Sequence, residues 1–318
     1  MPDLPDPVTL AIPAFVLLVA LEMLVARVRD PSRYEPRDTL TSLLLGLGST
    51  VAGVLSAGAV LAVSLWVYRF RIFDIGWQWY WFAAAFVLDD LAYYWFHRTA
   101  HRVRWFWASH VVHHSSQHYN LSTALRQTWT GLIALSFLFR LPLFLIGFPP
   151  AMVFFVAGLN LIYQFWIHTE TIGRCPKWFE AVMNTPSHHR VHHAINPRYL
   201  DRNYAGVFIV WDRMFGTFEP ERDEDRPRYG IVRNLGSFNL LWAAFHEWIG
   251  IARDVWRAPG IANKIRYMTA PPGWSHDGSR ETSEGIRAAW IARQEGQWTT
   301  PTSSSSDADR EAPRPRAA

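Results

Sequence analysis

The chain is poor in cysteine and in lysine, and each shortage excludes a class of protein. Cys175 is the only cysteine among 318 residues, which excludes a disulfide framework, a CxxC redox centre and a cysteine-ligated iron–sulfur cluster. The only lysines are Lys177 and Lys264, so arginine carries nearly all of the positive charge. No basic–aromatic repeat accompanies these arginines, and we expect no nucleic-acid partner.

Charged residues are also scarce, at 18% of the chain against about 25% in average soluble domains. Apolar residues make up 50% of the chain and are bunched into stretches long enough to cross a bilayer, which takes about 20 residues. The candidate spans are residues 8–25, 40–67, 77–96, 129–148 and 151–167. The sequence therefore predicts an all-α integral membrane bundle of about four to five transmembrane helices.

Arginines predict the orientation of this bundle. An excess of arginine next to membrane spans marks the cytoplasmic side. One group follows the first span and another follows the third; they are Arg27, Arg29, Arg33 and Arg37, and Arg98, Arg102 and Arg104. We expect the segments 97–126 and 168–235 to lie on the cytoplasmic side and to form a histidine-rich helical cap there.

The composition also predicts how the chain is divided. Residues 1–76 are expected to form N-terminal transmembrane helices, and residues 77–235 the histidine-bearing domain. Residues 236–298 are expected to form an interfacial helical region, because residues 238–256 fit an amphipathic helix lying on a bilayer. Residues 299–318 are rich in Ser, Pro, Arg and Asp, which predicts a disordered tail.

The strongest signal is the placement of histidine, since 11 of the 13 histidines fall between positions 97 and 193. Nine of them follow the spacings H-x3-H, H-x2-H-H and H-H-x2-H-H, and His168 stands alone between the second and third groups. On a helix, such spacings place two or three imidazoles of each group on one face. Imidazole is a good ligand for iron, zinc and copper, and a single zinc site would leave most of these rings unused. We therefore predict two metal ions, with candidate ligands His97, His101, His110, His113, His114, His168, His188, His189, His192 and His193.

Two polar residues are candidates for supporting roles around the metals. Asp90 lies on one helical stripe with His97 and His101, where a carboxylate can accept an imidazole N–H and set its tautomer. Pairing of Asp90 with a nearby arginine is the alternative. Gln164 lies four residues before His168 and is either a weak ligand or an interhelical hydrogen-bonding group.

The ordered histidine motifs, placed after hydrophobic spans, resemble those of the fatty acid hydroxylase/sterol desaturase superfamily over about residues 80–235. Within it, the sequence is most similar to the alkylglycerol monooxygenase branch. That closer likeness rests on HVVHHSS from His110, YNLSTALRQ from Tyr119, YQFWIHTE from Tyr163, NTPSHHRVHH from Asn184, NYAG from Asn203 and WDRMFGTF from Trp211.

The resemblance implies a catalytic domain with a di-iron centre in residues 77–235. It also implies oxidation of a C–H bond of a membrane lipid with O2, the bond lying beside an ether oxygen. The electrons would come from tetrahydrobiopterin or another external donor, because no flavin, haem or iron–sulfur motif is fused to the chain. The residues that carry over as catalytic are His97, His101, His110, His113, His114, His189, His192 and His193, with His168 and His188 as further ligands.

Several alternatives remain open at the level of sequence. Hydroxylation and desaturation differ only in how one oxidant meets its substrate. A sterol desaturase, a C-4 methyl oxidase and a fatty-acyl hydroxylase therefore fit the same motifs. A membrane zinc hydrolase and a metal-binding protein without enzymatic activity are more remote alternatives.

Overall fold

The computed structural model describes residues 4–298, and this part of the chain is helical without a β-strand, which confirms the predicted all-α class. Two short 3-10 helices, Pro31–Arg33 and Ser136–Arg140, accompany the α-helices. The α-helices are α1 Pro7–Arg29, α2 Pro36–Tyr68, α3 Trp79–Arg102, α4 Arg104–His114, α5 Leu121–Ala124, α6 Leu141–Ile146, α7 Pro150–Trp166, α8 Lys177–Glu180, α9 Pro186–His192, α10 Val210–Met214, α11 Leu240–Arg257, α12 Gly260–Thr269 and α13 Ser283–Trp298.

Helices α1 and α2 are long and apolar enough to cross a membrane and coincide with the first two predicted spans. Each begins at an acidic N-cap, Asp6 or Glu35, whose carboxylate accepts a backbone N–H of the first turn. Their apolar side chains point outward, with Leu17 59% and Leu55 81% exposed. A soluble protein rarely leaves so large an apolar surface in water, whereas lipid would cover it.

Helices α3 and α7 form the inner pair of the bundle and correspond to the third and fifth predicted spans. Asp90 on α3 is fully buried and accepts a hydrogen bond from the amide of Asn160 on α7 at 3.0 Å. An apolar cluster that includes Phe144, Phe148 and Met152 packs around the outer part of this pair. The pair leads straight into the histidine-bearing segments.

Residues 129–148, the fourth candidate span, do not form one continuous helix. The chain there forms turns, the 3-10 helix Ser136–Arg140 and the six-residue helix α6. Pro142 has no amide hydrogen and would clash within a continuous helix, so the α-helix starts only around it. Arg140 turns inward and pairs with the buried Asp89 of α3 at 2.6 Å. The segment therefore folds back against α3.

Gly147 makes the return from α6 to α7 possible. Its φ of +126° lies in a region that side chains disfavour. A Cβ atom there would meet the backbone oxygen of Phe73 at 2.0 Å. Only glycine allows the segment after α2 to pass this close to the turn.

The cap consists of α4 and α9 with α11 and α12 covering α4. Arg104, at the start of α4, joins it to α11 through Glu247 at 2.6 Å and Asp254 at 2.7 Å. Arg280 also pairs with Asp254 and ties the segment before α13 to the same place. The predicted amphipathic helix is present as α11, while its contact with a bilayer stays a prediction. The predicted tail, residues 299–318, lies outside the described residues.

A buried ion pair joins α2 to the loop beneath α4. Asp38 and Arg126 approach to 3.1 Å, with their side chains only 6% and 2% exposed. Arg126 also donates from Nε to the Ser115 hydroxyl at 2.9 Å. This pair therefore connects the first membrane helices to the histidine-bearing cap.

We predict that Asp38→Asn destabilises the protein strongly. The substitution leaves the Arg126 guanidinium buried without its carboxylate, and breaking such a pair costs about 3–5 kcal/mol. Unfolding of the purified protein in detergent, followed by tryptophan fluorescence, measures the loss. The control is Asp74→Asn, since Asp74 pairs with Arg71 but is 83% exposed. Equal stability of the two variants would contradict the prediction.

Candidate metal centre

Three helices and one loop bring nine of the ten predicted histidine ligands into two adjacent groups. Residues three or four apart share a helical face, so α4 and α9 divide their histidines between the groups according to the face they occupy, while α3 contributes both of its histidines to one group. We call them the five-histidine group and the four-histidine group. The first consists of His97, His101, His110, His114 and His192, and the second of His113, His168, His189 and His193.

In the five-histidine group the Nε2 atoms converge. The Nε2 atom of His110 lies 2.9 Å from that of His97 and 3.0 Å from that of His114. The Nε2 atom of His114 lies 3.1 Å from that of His192. His101 completes the group, and its buried Nε2 atom has no hydrogen-bond partner.

The four-histidine group repeats this arrangement. His168, just after α7, has its Nε2 atom 3.1 Å from that of His113 and 3.0 Å from that of His189. The Nε2 atoms of His189 and His193 are 3.2 Å apart. The groups adjoin, because the stacked rings of His114 and His193 have centroids 4.3 Å apart.

In four of these rings the Nδ1 atom, which we call the outer nitrogen, lies within hydrogen-bond distance of a backbone carbonyl. The Nδ1 atoms of His97 and His192 approach the carbonyls of Tyr204 and Arg202 at 2.7 and 3.0 Å. Those of His113 and His168 approach the carbonyls of Arg126 and Gln164 at 3.2 and 2.7 Å. A carbonyl oxygen only accepts, so Nδ1 must carry the proton in each ring.

This tautomer leaves His113 and His168 with lone pairs facing each other. A neutral imidazole carries one proton, and in both rings it is on Nδ1. Their Nε2 atoms, 3.1 Å apart, therefore have no proton to share. Two lone pairs this close repel each other, and a cation bound by both would remove the repulsion.

Protonation of His113 or His168 would also remove this repulsion, but it is unfavourable near pH 7. Burial lowers the pKa of His113 to about 4 and holds the pKa of His168 well below its usual value. Burial likewise lowers the pKa of His189, His192 and His193. The rings are thus neutral near pH 7, which is the form that binds metals.

The spacing of the nitrogens fits ligands of one metal ion. A metal–imidazole bond of about 2.1 Å puts neighbouring ligands about 3.0 Å apart at angles of about 90°, and about 3.4 Å apart in a tetrahedron. The shortest nitrogen contacts in both groups range from 2.9 to 3.2 Å, and all the donor atoms of each group lie within 4.8 Å of one another. Each group can therefore surround one metal ion.

The Nδ1 atom of His101 faces a carboxylate instead of a backbone carbonyl. Its Nδ1 atom lies 3.4 Å from the carboxylate of Asp201, which also faces Arg102. A carboxylate behind a metal-binding imidazole orients the ring and strengthens its bond to the metal. Asp201 has a φ of +56°, a conformation that Asp and Asn tolerate better than most residues.

The tenth candidate, His188, lies outside both groups. Its ring contacts Phe218, and its Nε2 atom lies 4.0 Å from a carboxylate oxygen of Glu180. The spacing of four residues places His188 with His192 as readily as it places His189 with His193. The sequence does not reveal which of these faces turns inward.

Asp90 and Gln164 do not contact an imidazole through their side chains in the hydrogen bonds of the described residues. The carboxylate of Asp90 accepts from the backbone of Val207 and Phe208 at 2.8 and 2.9 Å and from the indole of Trp211 at 2.8 Å. It thereby fixes the loop whose Tyr204 carbonyl holds His97. Gln164 supports His168 through its backbone carbonyl, while its amide donates to Asn160 at 2.6 Å.

The amino-acid sequence does not indicate Asp201 or the four supporting carbonyls as parts of the site. Asp201 lies eight residues after the last histidine of its region, in a loop without regular spacing. Backbone carbonyls leave no trace in residue identity. Only the NYAG motif from Asn203 hinted that this loop belongs to the site.

A cavity of about 720 Å³ reaches both groups from the cap side. His101, His114, His192 and His193 form part of its wall. The rest of its lining includes the charged residues Arg104, Arg233 and Glu247, together with Trp107 and Trp242. The cavity can therefore admit a polar molecule to the histidines.

We predict that each group binds its own metal ion. His189→Ala removes one donor from the four-histidine group, so the variant is expected to retain about one ion per chain where the unaltered protein retains about two. Elemental analysis of protein purified after iron loading measures this ratio. His188→Gln is the matched control from the same helix and is expected to retain both ions. An unchanged metal content in His189→Ala, or an equal loss in the control, would count against the assignment.

We also predict that Asp201→Asn weakens iron binding while the fold is kept. Asn accepts the left-handed backbone but removes the charge behind His101, and loss of such a partner costs about 10- to 100-fold in metal affinity. The rate at which a chelator removes iron measures the effect, and circular dichroism checks the helix content. Asp223→Asn, at a carboxylate that is 89% exposed, is the control. Equal rates for the two variants would refute the role of Asp201.

Comparison with known proteins gives consistent results. The chain is 40% identical over 278 residues to alkylglycerol monooxygenase of Homo sapiens, and 39% identical over 277 residues to that of Danio rerio. Each alignment covers 86% of this chain but only 61% of the relative, so the chain spans about three fifths of the length of these curated proteins. Ornithine lipid hydroxylase OlsE of Rhizobium tropici is 25% identical over 132 residues, 42% of this chain and 40% of the relative.

No solved structure gives a significant match. The family model for fatty acid hydroxylase matches residues 82–217, the part of the chain that includes every histidine of both groups. Residues 82–217 of the chain are therefore similar to the fatty acid hydroxylase family.

Proposed function

We propose that this protein is a membrane-bound di-iron monooxygenase that hydroxylates a C–H bond of a lipid. The observation that carries the proposal is the pair of adjacent histidine groups within the fatty acid hydroxylase domain. Imidazole suits iron as well as zinc, and the nine imidazoles of the two groups are more than one zinc site with four ligands would use.

The reaction consumes one O2, two electrons and two protons. One oxygen atom enters the C–H bond as a hydroxyl group, and the other leaves as water. Two iron ions, held by the five-histidine group and the four-histidine group, would supply the redox chemistry by which O2 attacks an unactivated C–H bond. Desaturation of the same carbon chain would instead remove a second hydrogen.

The residues of the chain prepare the site for this chemistry. The carbonyls behind His97, His113, His168 and His192 hold the rings in one tautomer and one orientation. Such fixed positions avoid reorganisation when a metal binds or changes its charge. Burial of the rings keeps bulk water away from the oxidising centre.

The relatives suggest the lipid class. The Homo sapiens and Danio rerio relatives, each aligned over 86% of this chain, are alkylglycerol monooxygenases. We propose an ether lipid as the substrate, with hydroxylation at the carbon beside the ether oxygen. The resulting hemiacetal breaks into an aldehyde and an alcohol without a further oxidant.

We propose that the electrons come from an external donor. We propose tetrahydrobiopterin or another small external reductant that enters the cavity of about 720 Å³. Its wall offers Glu247 and Arg233 for polar groups and Trp107 and Trp242 for a flat ring. The arginines that follow α1 and α3 favour a cytoplasmic position for this cavity.

The test is lipid profiling with isotopically labelled oxygen. Cells with and without the protein are given an alkylglycerol under labelled O2 and under anoxia. We expect the fatty aldehyde formed from the alkyl chain to appear only with the protein and O2, and to carry the label before exchange with water. His113→Ala is expected to abolish the product, because it removes a donor from the four-histidine group.

The matched control is His188→Gln, which leaves both groups complete and is expected to retain activity. Activity under anoxia with bound zinc would indicate a hydrolase and overturn the proposal. Labelled hydroxylation of an acyl chain or a sterol, without effect on the alkylglycerol, would retain the monooxygenase and reject the ether-lipid substrate.

A further inference from the structure

A second cavity, of about 550 Å³, lies between α3, α4, the 3-10 helix Ser136–Arg140 and α6. All ten of its lining residues are apolar. They include Leu91, Ala92 and Trp95 of α3, Phe106 of α4, and Leu138 and Phe139 of the 3-10 helix. The indole N–H of Trp95 is the only hydrogen-bonding group that these side chains carry, so the cavity suits a hydrocarbon better than a polar headgroup.

The cavity approaches the five-histidine group through three aromatic rings. Phe106 precedes His110 by one helical turn and therefore lies on the same face of α4. The ring of Phe139 lies 5.6 Å from those of both Phe106 and Phe96, and Phe96 lies 6.5 Å from the ring of His110. Phe96 and Phe139 thus separate the cavity from the nearest candidate ligand.

The outer side of the cavity is continuous with the apolar surface of the protein. Trp95 and Leu138 line the cavity and are 41% and 39% exposed, so it opens to the outside between them. Leu145 and Val87 nearby in sequence expose apolar side chains as well, at 41% and 40%. A hydrocarbon chain in the bilayer can enter sideways without crossing a polar surface.

We propose that this cavity holds the hydrocarbon chain of the lipid substrate, with the chain passing Phe96 and Phe139 to place its reacting carbon near His110. The inference rests on the proposed function and adds the place where the substrate binds. A methylene group takes about the same volume as one liquid water, roughly 30 Å³, so the cavity has room for about 18 of them. The other cavity differs in carrying charged side chains, such as Arg233 and Glu247, along its wall.

The first test reduces the cavity with Ala92→Trp. The indole occupies space needed by a long chain, and a displacement of the reacting carbon by about 1 Å costs about 100-fold in rate. We expect oxidation of a hexadecyl glycerol ether to fall at least about tenfold, while an octyl glycerol ether loses much less. Leu138→Trp, at the mouth of the cavity, provides a second variant should Ala92→Trp fail to fold.

Ala57→Trp is the matched control, because Ala57 is exposed on the apolar helix α2 and does not line the cavity. This variant is expected to keep the chain-length preference of the unaltered protein. If Ala92→Trp and Leu138→Trp also keep that preference, the cavity is only a groove filled by surrounding lipid and the inference is wrong.

The second test does not depend on turnover. A hexadecyl glycerol ether with a diazirine near the end of its chain is photolysed with the iron-loaded protein in lipid vesicles, and the cross-linked peptides are sequenced. We expect labels within residues 88–95 or 138–146, and competition by unlabelled ether. Labels spread over α1 and α2 without competition would overturn the inference. If no lipid is oxidised at all, the proposed function is wrong. The cross-linking result then still shows whether the cavity binds a hydrocarbon chain.

Discussion

Buried nitrogen lone pairs that face one another are the constraint on which the rest of the structure depends. The carbonyls behind His113 and His168 keep their protons on the outer nitrogens, so the inner nitrogens, 3.1 Å apart, repel. Burial disfavours protonation, and a bound metal ion resolves the conflict. A site of this kind is unfavourable for an empty protein and favourable for a loaded one.

The surrounding fold keeps these rings from relaxing apart. Asp90 and Asp212 are both buried, and their carboxylates fix the backbone of the loop 204–211, which supplies the carbonyl behind His97. The Asp38–Arg126 pair fixes the carbonyl behind His113 from the opposite side. The buried carboxylates of Asp38, Asp90 and Asp212 thus fix the backbone carbonyls that face the outer nitrogens. Asp38 and Asp90 lie on the long helices α2 and α3.

The sequence predicts those features of the fold and of the site that depend on the spacing of nearby residues. The helical class, the first two spans and the gathering of histidines follow from apolar stretches and from spacings of three and four residues. The division into two groups does not follow, because it depends on how α4 and α9 are rotated. His188 and His189 have equivalent partners four residues later, and only the packing of Phe218 against His188 distinguishes them. The fourth candidate span, residues 129–148, does not form one helix, because the Arg140–Asp89 pair draws this segment towards α3. The two residues are distant in sequence, so local spacing does not indicate the contact. Asp201 was missed for the same reason.

The most direct measurement of the central claim is anomalous X-ray scattering at the iron absorption edge from crystals of the iron-loaded protein. The account predicts two peaks, one among His97, His101, His110, His114 and His192 and the other among His113, His168, His189 and His193. A single peak, or peaks at the zinc edge only, would contradict it.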